Sequence, residues 1–250
     1  MPLICCVSPK GGVGKSTIAA NLAVNLARLR SHRIIAVDLD PQNMLRLHLG
    51  VPLGEGRGFM QMLRQPQLWQ HALQDTAEGV MVLPYGTMDM ATSLHASAEL
   101  ENFPELLAEP LRQIAADPHA LVIVDTEPGP SAALRALLPR IDLLLTVLAA
   151  DAASMALFTD IESGRAYGLG HGGRQCFVIN QFDPMTRLGP TIVRNLSARM
   201  GNRLVGVVHR DEHVGEALAA QKSLAAYAPR SQANHDLTLI SHRLTALVRS

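Results

Sequence analysis

No run in this 250-residue chain approaches the ~18 consecutive apolar residues a membrane-crossing helix needs, which excludes a transmembrane helix. Met1-Pro2 leads directly into an apolar strand, so no signal peptide is expected. Cysteine is scarce: Cys5 and Cys6 are neighbours and Cys176 stands alone. They fit buried thiols in a reduced cytosol better than a disulfide or metal framework. Net charge is absent as well, with 22 basic and 22 acidic residues. No whole-molecule field therefore draws in DNA or anionic lipid. Lysine is rarer still: only Lys10, Lys15 and Lys222 among the 22 basic residues. A cytoplasmic protein is expected.

Hydrophobic residues are plentiful at 48%, against 18% charged, so a sizeable core is expected and disorder is not. No repeat or linker divides residues 1–250, which read as a single α/β domain. Two of the three lysines stand in Ser8-Pro9-Lys10-Gly11-Gly12-Val13-Gly14-Lys15-Ser16-Thr17. The apolar run Leu3–Val7 before it reads as a buried strand, and the spacing of Ile18, Leu22, Leu26 and Leu29 after it as a helix. Strand, glycine turn and helix make a phosphate cradle, a P-loop. Gly11, Gly12, Val13 and Gly14 bring backbone N–H groups to the oxyanions, and the helix aims its positive end there. Lys15 reaches the β- and γ-phosphates, Ser16 ligates Mg²⁺ and Thr17 contacts the α-phosphate.

Arg33–Val37 reads as a second strand, ending in Asp38-Leu39-Asp40. This βαβ unit implies a parallel sheet, with Asp38 and Asp40 on the rim that carries the P-loop. Ala120–Val124 is an apolar strand that delivers Asp125 to the same rim, a Walker B carboxylate able to hold a Mg²⁺-bound water. Residues 41–79 are irregular, with Trp69 as a packing anchor, and Val80–Pro84 is a strand. One helix is expected over Glu99–Ala116. Strands follow at Asp142–Leu148, Gln175–Ile179 and Leu204–Val208, with helices at Ala153–Arg165, Pro190–Met200, His213–Ala220 and Asn234–Val248. His209 and His213 have zinc-like spacing, but no third ligand stands in register.

The string Lys10-Gly11-Gly12-Val13-Gly14-Lys15-Ser16-Thr17 resembles the deviant Walker A motif of the ParA/MinD (SIMIBI-class) P-loop ATPases, and the resemblance covers almost the whole chain. It implies a P-loop NTPase fold: a mostly parallel sheet of seven or eight strands with helices on both faces. It also implies a homodimer with ATP sandwiched at the interface and slow, Mg²⁺-dependent hydrolysis. Lys10 corresponds to the signature lysine that crosses to the partner's nucleotide, Asp40 to the carboxylate orienting the attacking water, and Asp38 to a residue near the metal. Asn180 is the candidate adenine contact, and His209-Arg210-Asp211 the loop closing over the base. Glu127 stands where a proline is common in such chains.

Asp40–Gly50, Leu83–Gly86, His209–Glu212 and Tyr227–Ala233 resemble the cellulose-biosynthesis branch, BcsQ (YhjQ). That likeness implies partnership with BcsR, and in some systems BcsE, on the cytosolic face of the inner-membrane cellulose synthase complex. Recruitment to the membrane or cell pole would then run through partners. A ParA-type partition ATPase remains an alternative if the 19 arginines cluster into a DNA-binding patch. A MinD-like positioning ATPase remains another if the amphipathic segment Leu237–Arg249 lies on a membrane.

Overall fold

A computed structural model describes residues 2–30, 32–167 and 174–249. Eight strands form one sheet: β1 (Leu3–Val7), β2 (Arg33–Leu39), β3 (Gln74–Asp75), β4 (Val80–Leu83), β5 (Ala120–Thr126), β6 (Leu143–Ala149), β7 (Arg174–Phe182) and β8 (Leu204–His209). Their order is β3-β4-β2-β5-β1-β6-β7-β8, and only the short β3–β4 pairing is antiparallel. The mostly parallel α/β fold expected from the sequence is the fold observed.

Among the described residues ten α-helices connect or cover the strands: α1 (Lys15–Arg28), α2 (Leu45–His48), α3 (Met90–Asn102), α4 (Glu105–Ala115), α5 (Ala132–Leu137), α6 (Ala152–Glu162), α7 (Gly189–Met200), α8 (His213–Ala219), α9 (Leu224–Tyr227) and α10 (Gln232–Arg249). The sheet separates two apolar cores. Leu3, Cys5 and Val7 face one, with Leu107, Leu111, Leu134, Phe158 and Leu196 from α4 to α7. Ile4 and Cys6 face the other, with Ile18, Leu22, Leu45, Leu237 and Ile240 from α1, α2 and α10. This is period-two alternation in a strand buried on both sides, which is why β1 reads as an unbroken apolar run. Burial also pushes all three cysteine thiols up, so they stay protonated.

The helix expected over Glu99–Ala116 is instead two, α3 and α4. Phe103 leaves the helical conformation (φ −133°, ψ 67°), because the residue before a proline is disfavoured there, and Pro104 starts the next helix. The part of α3 before Glu99 was not anticipated; its N-cap is Asp89, whose carboxylate accepts from the Thr92 amide at 2.8 Å. β3, α5 and α9 were not anticipated either. Trp69 is an anchor as expected: buried, 4.7 Å from the Phe59 ring, its indole N–H donating to the Met62 carbonyl.

The amphipathic C-terminal segment is a sheet-covering helix. Leu237, Ile240 and Leu244 on α10 are buried, and Arg243 donates to the Val205 carbonyl on β8 at 2.9 Å. Its apolar stripe is therefore spent on the core. At Gly206 on β8 an added Cβ would lie 2.4 Å from Ile240 Cγ1 of α10. Gly206→Ala should therefore lower stability by about 1–3 kcal/mol through overpacking, readable as a lower urea midpoint.

Candidate nucleotide-binding site

All strand ends that matter meet on one rim. β1 runs into the glycine loop, where Gly12 and Gly14 have φ of 75° and 82°. These left-handed turns are open to glycine at little cost. Gly14 caps α1, and its carbonyl accepts from the Ile18 amide at 2.9 Å. No acidic residue occupies the first turn of α1, so its positive end is unneutralised from within. An added Cβ at Gly14 would meet Asn180 Nδ2 at 2.4 Å, a second demand for glycine there.

β2 and β5 are paired so that Asp38 lies opposite Asp125, which brings both carboxylates to one level. Lys15 Nζ lies 2.6 Å from Asp125 Oδ1 and 3.8 Å from Asp40 Oδ2. Burial alone would lower the Lys15 pKa, but the charge and hydrogen bond of Asp125, with Asp40 and Asp38 beyond, carry it above its usual value. The Ser16 side chain stands beside Asp125, whose other oxygen, Oδ2, is buried without a hydrogen-bond partner among the described residues. Three carboxylates thus share one ammonium group. The site is short of positive charge, and an orphaned carboxylate oxygen beside a serine hydroxyl fits a hydrated Mg²⁺ ion. Among the described residues no three carboxylate, histidine or cysteine side chains form a metal cage by themselves. That suits a metal held largely by phosphate oxygens and water.

Asp38, expected near the metal, lies opposite Asp125 on the neighbouring strand. It is fully buried, and its two oxygens accept from the amides of Asp40 and Leu45, each at 3.0 Å. Burial, then the Asp125 charge, raise its pKa well above the carboxylate range. Asp38 fixes the turn that presents Asp40 and starts α2. From α2, His48 Nε2 contacts the Thr17 hydroxyl at 3.3 Å. Burial lowers the His48 pKa to about 4. His48 is thus neutral in the fold at pH values where the unfolded chain carries it protonated. Stability should fall as pH drops from 6.5 towards 4, by roughly 3 kcal/mol in all. His48→Gln should flatten that limb, measured as urea midpoints between pH 7 and pH 4.

Beside the P-loop, at the carboxyl ends of β7 and β8, lies a cavity of about 340 Å³. Gly14, Thr17, Asn180, His209, Arg210 and Asp211 line it, so the expected base contacts and the glycine loop share one space. Asn180 is not free there: its Nδ2 donates to the Val13 carbonyl at 2.8 Å. Gln181, unnoticed in the sequence, donates to the Gly12 carbonyl at 3.0 Å. His209 Nδ1 is 2.8 Å from Asp236, and His213 Nδ1 is 2.7 Å from Asp211. Each histidine is thus oriented by a carboxylate, and Asp211 also accepts from the Ala233 amide in the first turn of α10. Lys10 stands apart from the Lys15 cluster, with its Nζ 2.5 Å from Asp151 of the same chain.

A sequence profile described as cellulose biosynthesis protein BcsQ matches residues 1–244. The chromosome-partitioning ATPase Soj of Thermus thermophilus is 30% identical over 98% of this chain and 96% of its own. The cellulose biosynthesis protein BcsQ of Escherichia coli is 22% identical over 93% of this chain and 90% of its own. In fold, the chain is similar to the septum site-determining protein MinD of Pyrococcus horikoshii, solved with Mg-ADP: TM-score 0.77, 21% identity, 99% and 97% coverage. The glycine loop, the strand-end carboxylates and these likenesses agree, and the chain belongs to the BcsQ family within the ParA/MinD group of P-loop ATPases.

Proposed function

We propose that this protein binds Mg-ATP in the P-loop, dimerises around two bound nucleotides and hydrolyses them slowly, acting as a switch. The observation that carries this reading is the division of labour between two lysines. Lys15 is buried against Asp125 and Asp40, whereas Lys10 is partly exposed and pairs with Asp151, whose side chain is 45% exposed. A buried ammonium group serves the phosphates of its own chain. An accessible one can exchange its carboxylate for a partner's phosphate.

In this reading the amides of Gly11 to Gly14 and Lys15 hold the phosphates, and Thr17 faces the α-phosphate. Ser16 and, through water, Asp125 would hold Mg²⁺, which supplies charge neutralisation between the β- and γ-phosphates. Asp40 orients water for attack. Asn180, His209, Arg210 and Asp211 surround the base. Lys10 of each subunit adds positive charge where the other's phosphoryl oxygens gain negative charge. Bound triphosphate favours the dimer only through contacts absent from the monomer, and Lys10 provides one.

Family membership favours a place in cellulose synthesis, with BcsR, and in some systems BcsE, as partners at the cytosolic face of the synthase complex. The 30% identity to Soj favours a second reading, an ATP-dependent partition protein that binds DNA. Sedimentation of the purified chain with Mg-ATP and with Mg-ADP tests the switch. A mass that doubles with ATP alone, with phosphate released slowly, supports it; a monomer in both refutes it. A salt-sensitive DNA mobility shift that needs ATP would transfer support to the partition reading.

A further inference from the structure

We propose that Gln181 is a positioning residue for the phosphate loop, put in place by a β-bulge at the end of β7. This rests on the P-loop being the nucleotide site. In a regular strand, consecutive side chains point to opposite faces, so only one of Asn180 and Gln181 should reach the glycine loop. Both do: Asn180 Nδ2 donates to the Val13 carbonyl at 2.8 Å and Gln181 Nε2 to the Gly12 carbonyl at 3.0 Å.

The backbone explains how. The pairing of β7 with β8 slips between Ile179 and Phe182, and Gln181 adopts a left-handed φ of 59°. The strand is held on either side of the slip. The Asn180 carbonyl accepts from the Ala150 amide at 2.9 Å, and the Phe182 carbonyl from the Arg210 amide at 2.8 Å. An extra residue inserted at such a point re-aims a side chain. A non-glycine residue in the left-handed region carries strain, and strain of this kind collects at functional sites.

The consequence for the loop follows from peptide planarity. C=O and N–H of a trans peptide point in opposite directions. Holding the Gly12 carbonyl toward β7 turns the Val13 N–H away from β7; holding the Val13 carbonyl does the same for the Gly14 N–H. The two amides of the bulge thereby aim two successive N–H groups into the hollow that receives phosphate. Gly12 and Gly14, at φ 75° and 82°, would otherwise leave those peptide planes free to rotate.

Gln181→Gly tests this without adding strain, because glycine keeps the left-handed turn and loses only the side-chain bond. Displacement of a fluorescent ATP analogue by Mg-ATP and by inorganic triphosphate gives the readout. Affinity for both should fall by the same factor, about three- to tenfold, the usual worth of one hydrogen bond. The melting temperature should hold within about 2 °C, since no buried apolar contact is lost. A loss for ATP with none for triphosphate would make Gln181 a base contact and overturn the proposal. Wild-type binding that Gln181→Gly leaves intact overturns it too. Wild-type protein that binds neither probe sinks the nucleotide reading itself, and the clamp with it.

Discussion

Replacing Lys15 with alanine is expected to abolish Mg-ATP binding and to weaken the fold at the same time. Loss of affinity should exceed ~100-fold, since each charge-assisted hydrogen bond to phosphate is worth about 1.5–3 kcal/mol and Lys15 spans two phosphates. Titration calorimetry reads this directly, and unchanged affinity would reject the P-loop assignment. The second effect comes from the empty site. Lys15 is the cation paired with Asp125 and Asp40, and Asp125 is fully buried. Removing one partner of a buried pair typically costs about 3–5 kcal/mol, because the remaining charge is left uncompensated. The variant can escape by protonating Asp125. Its deficit relative to wild type should therefore shrink as pH falls and grow as pH rises, in urea titrations run without nucleotide.

Lys10→Ala should have the opposite character: binding intact, assembly lost. The Lys10–Asp151 pair is accessible to water, with side chains 28% and 45% exposed, so it contributes only about 0–1 kcal/mol to the fold. The variant should fold normally and bind Mg-ATP within about threefold of wild type, as Lys10 makes no contact with the Lys15 cluster. What should vanish is the ATP-dependent dimer on gel filtration, and with it phosphate release. An unchanged dimer peak would remove Lys10 from the mechanism. Asp151→Asn separates the two roles of Lys10. Asparagine still caps α6 through the Ser154 amide, yet frees Lys10 from its own chain, so dimerisation should begin at lower ATP concentration.

Much of this site was legible in the sequence because its parts are consecutive. A glycine loop between strand and helix names itself, and apolar strands ending in Asp38 and Asp125 say where their carboxylates go. The roles decided by folding were not legible. Asp38 and Asp40 look equivalent in Asp-x-Asp, but β2 ends at Leu39: Asp38, still in the strand, is buried beneath two backbone amides, whereas Asp40, just past it, lies 3.8 Å from Lys15. The sequence ends a strand at Ile179 and sets Asn180 just beyond it as the base contact; β7 instead runs on to Phe182 through a bulge that no residue type announces. The Lys10–Asp151 pair joins residues 141 positions apart, beyond any local pattern. The part of α3 before Glu99 is not legible because its apolar faces are weak, although Asp89 ahead of Thr92 is a readable cap.

Arg46 is buried in the segment after Asp40 and has no carboxylate partner among its bonds. Its guanidinium donates instead to the carbonyls of Asn43, Pro52, Leu53 and Glu55. One planar cation thus staples residues 43–55 into a stiff paddle, since its rigid fork fixes several acceptors at once. At its base the Asp40 carboxylate accepts from the Gln42 amide at 2.9 Å, and Leu53 at its far edge is 65% exposed. Leu45, Leu49 and Val51 of the same stretch are buried in the core, so the exposed Leu53 is carried on a segment anchored to the phosphate side of the sheet.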